Sequence, residues 1–190
     1  TVAKPPFEGE GTETSPYLID SAERLQKLSL EYNKASQNWT DKHWKQTEDI
    51  NMNSVEFTPI GMDTAFSGTY DGDGHVIKNL TITSDAINVG LFGTIGSDAV
   101  IKNVILDDTC TISASNKSCR VGGIAGYINA SGKNIIENCV NRASVISTAQ
   151  SSFGSAPSYA GGVVGEIESN KSNLVIGSKN YGTVKQTTSA

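Results

Sequence analysis

The side chains able to do chemistry are few and scattered. Two histidines, His43 and His75, and three cysteines, Cys110, Cys119 and Cys139, are the whole stock of imidazole and thiol groups. Nucleophilic catalysis would need such an imidazole beside a Ser or Cys and an orienting acid. His75 closes the stretch Asp71-Gly72-Asp73-Gly74-His75, whose Asp-Gly pairs read first as a tight turn. There is no Gly-x-Ser-x-Gly elbow. Calcium could use Asp71 and Asp73, yet an EF-type loop needs more oxygens and a terminal Glu. Without Cys-x-x-Cys and with only two histidines, no zinc constellation of known spacing is present. The expectation is no catalytic residue, no metal ligand and no cofactor site.

Cleavage of an acidic polysaccharide would need paired carboxylates, or carboxylates with Lys or Arg. Asp107-Asp108 and Glu137 with Arg142 are available, although any solvated turn or strand face displays the same residues. Glycan binding without cleavage needs exposed aromatic platforms, for which Trp39, Trp44, Tyr127, Tyr159 and Tyr181 are candidates, although a Trp after a helix more often pins that helix to the core. Cys139 lies in an apolar run and reads as a small buried hydrophobe. Cys110 and Cys119 flank a polar stretch: they are either free thiols or a pair closing a small loop, if their strands are neighbours.

A chain of 190 residues suits one ordinary domain. Its net charge of −5 and singly scattered Lys and Arg argue against nucleic acid, which requires a basic stripe. No apolar run approaches the ~18 to 20 residues of a membrane span, so no membrane insertion of this segment is expected. The chain opens at Thr1 without a signal-like segment, which suggests a processed protein or a piece of a longer one.

These side chains must be held by a turn-rich, all-β framework. Pro16-Tyr17-Leu18-Ile19 reads as a strand. Asp20 as cap with Glu23 three residues on then starts an amphipathic helix, with Ala22, Leu25, Leu28 and Tyr32 on one face. Extended pieces follow at His43 to Thr47, Asp49 to Met52, Phe57 to Gly61 and Phe66 to Tyr70; Val76 to Ile82 reads as one strand. A glycine phrase then appears three times, as Gly90-Leu91-Phe92-Gly93, Gly123-Ile124-Ala125-Gly126 and Gly162-Val163-Val164-Gly165. Its last glycine advances by 33 and then 39 residues, and Asn141 to Asn180 is again 39.

Repeats of this length signal stacked units. Two or three short strands per unit fit a parallel β-helix of roughly six rungs, about 20 to 25 residues each. Ladders are expected at Leu91, Ile124 and Val163, and at Ile101, Ile136 and Val175, with an insertion at Thr148 to Ser158 bulging outward. Residues 1–42 form an N-terminal cap of strand and helix. Residues 43–190 form the rungs, with repeats at 88–106, 121–145 and 160–184. The helix is suited to close one end, and the other end carries no evident cap.

Gly90-Leu91-Phe92-Gly93 and its relatives resemble the GLUG repeat of bacterial secreted and cell-surface proteins. That repeat occurs upstream of the catalytic domain in immunoglobulin-A metallopeptidases and in adhesin-like proteins of Bacteroidetes. Gly11 to Leu28, Trp44 to Met52 and Phe57 to Ile77 resemble the lead-in of the same family. The resemblance implies a right-handed parallel β-helix, export to the surface or medium, and no active site; the peptidases' His-Glu-x-x-His motif is missing from this sequence. The expected function is therefore a non-catalytic module for adhesion to a host matrix protein or glycan. The alternatives are a passive stalk and, third, a glycan lyase or hydrolase.

Overall fold

The structure, a computed structural model, describes residues 7–34, 39–53, 55–129, 132–150, 157–168 and 172–189. It is mostly β with one helix, and every strand pairing among the described residues is parallel.

The chain begins with β1 (Tyr17–Ile19), α1 (Ala22–Tyr32), β2 (Lys42–Gln46) and β3 (Ile50–Asn51). One coil then comprises β4 (Gly68–Asp71), β5 (Val76–Lys78), β6 (Thr81–Ser84), β7 (Asn88–Val89) and β8 (Phe92–Ile95). The next is β9 (Val100–Lys102), β10 (Ile105–Leu106), β11 (Thr111–Ala114), β12 (Arg120–Gly122) and β13 (Ala125–Ile128). A third is β14 (Ile135–Glu137), β15 (Val140–Asn141), β16 (Ser144–Gln150), β17 (Tyr159–Gly161) and β18 (Val164–Ile167). The last described strands are β19 (Leu174–Ile176), β20 (Lys179–Asn180) and β21 (Val184–Ser189).

From β4 onward each strand pairs with the one five places further on, giving five parallel sheets in a β-helix-like stack. Sheet I runs β1-β2-β4-β9-β14-β19, sheet II β3-β5-β10-β15-β20 and sheet III β6-β11-β16-β21. Sheet IV is β7-β12-β17 and sheet V is β8-β13-β18. The expected ladder Ile101, Ile136, Val175 is present in sheet I. The segments that carry Leu91, Ile124 and Val163 are joined through their backbones. Phe92 N donates to Ile124 O at 2.8 Å, and Ile124 N donates to Val163 O at 2.9 Å.

Three expectations are corrected. Full coils hold five strands rather than two or three. They are also longer than 20 to 25 residues: from Tyr70 to Ile101 is 31, from Ile101 to Ile136 is 35 and from Ile136 to Val175 is 39. The reason is that single residues with positive φ break what reads as one strand into two. Val76 to Ile82 is cut at Asn79 (φ 55°), and its halves β5 and β6 join different sheets. Asn103 (φ 55°), Asn138 (φ 52°) and Gly177 (φ 62°) make a different corner in the later coils, the one between sheets I and II. The third correction is the helix cap. Ser21, not Asp20, is the N-cap, with extended backbone and its hydroxyl accepting from Arg24 N at 3.4 Å. Asp20 pairs instead with Arg24 at 3.1 Å. Of the insertion at 148–158, residues 148–150 prolong β16, and 151–156 lie outside the described residues.

The helix buries Ala22, Leu25, Leu28, Ser29 and Tyr32. Its polar side chains tie it to the neighbouring loop: Gln26 donates to Glu56 O at 2.8 Å and Asn33 to Pro59 O at 2.9 Å. Around it Phe7, Tyr17, Tyr32, Trp39, Trp44 and Phe66 form a chain of edge-on and tilted ring contacts. The opposite end is different. Ile136 and Val145 are fully buried, whereas their ladder partners Val175 and Val184 in the final coil are 41% and 40% exposed.

Candidate functional site

The outer face of sheet I carries two rows of side chains, because alternate residues of each strand point away from the core. While Trp44, Tyr70 and Ile101 point inward and are buried, one outer row runs His43, Thr69, Val100, Ile135 and the next Lys45, Asp71, Lys102, Glu137. The second row alternates in charge from coil to coil. A loop over residues 8–16 stands beside it, held by Leu18 N to Glu8 O at 3.0 Å, His43 N to Gly11 O at 3.1 Å and the Arg24–Glu8 ion pair at 2.9 Å. Between loop and sheet lies a cleft of ≈ 410 Å³, lined by Glu13, Pro16, His43, Lys45, Thr69, Asp71, Val100 and Lys102 among others.

Asp71 is the organising group. Its Oδ1 accepts from Asn103 Nδ2 at 2.8 Å and Asp73 N at 2.9 Å, and its Oδ2 meets Lys102 Nζ at 3.2 Å. Burial pushes the carboxyl up, but the bonds from Asn103, the Asp73 amide and Lys102 together hold it below the ordinary carboxylate range. Lys45 Nζ reaches Asp73 Oδ2 at 3.0 Å. A depressed folded pKa contributes stability above the unfolded value of about 3.9, and that contribution is lost as pH falls through the folded value. Thermal midpoints measured from pH 6 to pH 2 should therefore fall on the acid side, and D71N should fall less steeply than the unaltered protein.

The other sequence candidates are dispersed. His75 Nδ1 lies 3.7 Å from Asp49, which also accepts from Val76 N and Lys78 Nζ. Asp107 Oδ1 accepts from the Thr109 amide at 3.2 Å and hydroxyl at 2.9 Å; those bonds lower its pKa and make it a turn residue. Among the described residues no ion pair joins Glu137 to Arg142; Arg142 stacks over the Tyr181 ring at 5.6 Å. No group of three or more His, Cys, Asp or Glu gathers at metal-binding distances among the described residues.

Trp39 and Trp44 are not platforms: both are buried in the ring cluster. Tyr127 is also occupied. Arg120 lies over its ring at 4.5 Å and pairs with Glu166, and the Tyr127 hydroxyl donates to Glu168 at 2.6 Å. Burial first, then the Glu168 carboxylate, push that hydroxyl up to about 12. Tyr159 is 39% exposed, and Tyr181, with Arg142 over its ring, is 64% exposed.

All three cysteines are buried and free. No disulfide joins Cys110 to Cys119, so the small loop is not closed. Cys110 donates to Ile77 O at 3.3 Å and Cys119 lies 3.2 Å from the Ser147 hydroxyl. Burial pushes the Cys139 thiol up to about 12. A disulfide reagent such as Ellman's at pH 8 should label Cys139 only after denaturant is added; rapid labelling of the folded protein would contradict the placement.

Sequence reasoning did not bring Glu13, His43, Lys45 and Lys102 together. The available signal was local: in each of β2, β4 and β9 a polar residue stands next to a large apolar one.

The architecture defines a class, that of parallel stacked β-strand proteins. No family model matches the sequence. Halomucin from Haloquadratum walsbyi is 33% identical over 140 residues, covering 68% of this chain and 1% of that protein. A protein of Evansella cellulosilytica designated a Gly-rich membrane protein is 30% identical over 127 residues, 62% of this chain and 14% of its own length. This chain thus spans a small part of both. A crystal structure from Bacteroides ovatus, designated an immunoglobulin A1 protease, superposes with a TM-score of 0.66 at 20% identity, covering 95% of this chain and 61% of that one. At that identity it speaks for the fold alone. Among the described residues no helix is long and apolar enough to cross a membrane.

Proposed function

We propose that this chain is a non-catalytic, exported module of the GLUG-repeat kind, a right-handed parallel β-helical solenoid that attaches to a host protein or glycan through its outer face. The observation that carries the reading is sheet I. It aligns six parallel strands, and its two outward rows place polar and aliphatic groups at regular strand spacing beside a cleft. A periodic surface of that kind suits a periodic or extended partner. Right-handed winding is supported by the strong preference of parallel crossovers for that hand. Export is supported by relatives designated a halomucin and a membrane protein.

The test is a panel of immobilised matrix proteins and glycans probed with the purified chain. Saturable binding to at least one member is expected, weakened by substitutions on the sheet I face. Absence of binding across the panel would favour the passive stalk. New reducing ends or unsaturated products from an acidic polysaccharide would favour the enzyme.

A further inference from the structure

The two lysines of the sheet I cleft keep hydrogen-bond donors to spare. An ammonium carries three N–H donors. Lys45 Nζ has Asp73 as its partner and Lys102 Nζ has Asp71, so each lysine keeps donors to offer while its side chain is 39% or 38% exposed. Asp71, between them, already accepts three bonds, from Asn103, Asp73 N and Lys102. A carboxylate has about four lone-pair sites, which leaves it room for one more donor. Along the row, the cleft offers donor, single acceptor, donor. Lys45 and Lys102 stand two strands apart, about 10 Å at ordinary sheet spacing. Pro16 and Val100 add apolar contact, and Glu13 adds a carboxylate to the lining on the loop side.

We infer that the ligand of this cleft is a carboxylated polysaccharide in which acidic and neutral sugars alternate. Successive uronate carboxylates face Lys45 and Lys102. A hydroxyl of the sugar between them donates to Asp71, and the C–H faces of the ring rest on Val100 and Pro16. The alternating charges also account for selectivity. Asp71 and Asp73 cancel the cationic field at long range, so a uniformly and densely anionic chain meets a carboxylate between the two lysines. This inference rests on the binding-module reading and adds the ligand class to it.

The experiment titrates the full chain with a hyaluronan decasaccharide, its carboxyl-methylated form, a neutral maltohexaose and poly-glutamate. Each is followed by calorimetry at low and moderate salt and repeated with K45Q/K102Q. The substitutions remove partly exposed ion pairs and leave Asp71 its bonds from Asn103 and the Asp73 amide, so the thermal midpoint should shift by only a few degrees at about pH 7. Expected is binding of the decasaccharide alone, weakened at least about tenfold by K45Q/K102Q, by methylation and by added salt. Equal binding of maltohexaose that K45Q/K102Q leaves untouched would overturn the acidic ligand while leaving a binding module. Equal binding of poly-glutamate would overturn the sugar. If none of the four binds but the wider panel does, the acidic-polysaccharide ligand is overturned while the binding module stands. If nothing binds anywhere, both readings fall.

Discussion

Gly126→Val should leave little folded protein, with a loss exceeding about 4 kcal/mol. The reason is space rather than backbone conformation, since Gly126 does not have positive φ. A Cβ there would overlap Val89 N and stand 2.8 Å from Arg120 O, both backbone atoms that cannot swing aside. The crowding interlocks from coil to coil: a Cβ on Gly90 would stand 2.9 Å from Gly126 N, and one on Gly122 would stand 2.7 Å from Gly165 N. The glycine phrase lets β7 and β8, β12 and β13, and β17 and β18 fold back tightly while neighbouring coils meet. Leu91→Asp, which places a charge at a fully buried ladder position, should fail in the same way. Circular dichroism and a denaturant titration decide the matter. A Gly126→Val protein with an unaltered midpoint would show that the coils are not packed as described.

Ile136→Ala and Val175→Ala should differ sharply, although the two residues are partners in one ladder. Ile136 is fully buried between Ile101 and Val175, so truncation opens a cavity and should cost about 2 to 5 kcal/mol. Val175 is 41% exposed, with a neighbour on one side, and should lose less than about 1 kcal/mol. Urea midpoints of the two variants provide the comparison. Equal losses would mean that the last coil is covered in solution. Hydrogen exchange should show the same gradient, with amides of β19 to β21 exchanging before those of β9 to β11.

Much of this architecture could be read from the residues in order. In β4 the polar Thr69 and Asp71 flank Tyr70, and in β9 and β14 a charged residue follows Ile101 and Ile136. That alternation marks Tyr70, Ile101 and Ile136 as the inward side chains, and all three are fully buried. Thr69 faces outward in the row with His43 and Val100. The amphipathic stripe of Ala22, Leu25, Leu28 and Tyr32 likewise foretells the buried face of α1. The 39-residue offset between Asn141 and Asn180 reappears as a hydrogen bond of 2.8 Å between their side chains. These features are legible because each depends on near neighbours in sequence or on a repeat that the sequence states outright.

The tetrapeptide Val-Ile-Lys-Asn marks the limit of that legibility. It occurs at 76–79 and again at 100–103, with Ile inward and Asn at positive φ both times. Yet the first copy belongs to sheet II, paired with Ile105 and Leu106, and the second to sheet I, paired with Thr69 and Tyr70. Local chemistry sets the bend and the buried side, whereas the sheet is chosen by turns and by partners a whole coil away. Trp39 and Trp44 are a second case: their place after the helix hints at the core, but their partners Tyr17 and Phe66 are set by the tertiary fold.

The residues alone thus carried a repeating parallel β architecture, one helix with a single buried face, and glycines that the repeats hold in common. The five-sheet cross-section, the separate burial of the cysteines and the cleft on sheet I arose only when distant coils came together. Glu13, His43, Lys45, Asp71 and Lys102 come from four separate stretches of chain. They meet because parallel pairing brings side chains from different coils to one strand spacing, and the length of each coil is set by its corners rather than by the residues in the row.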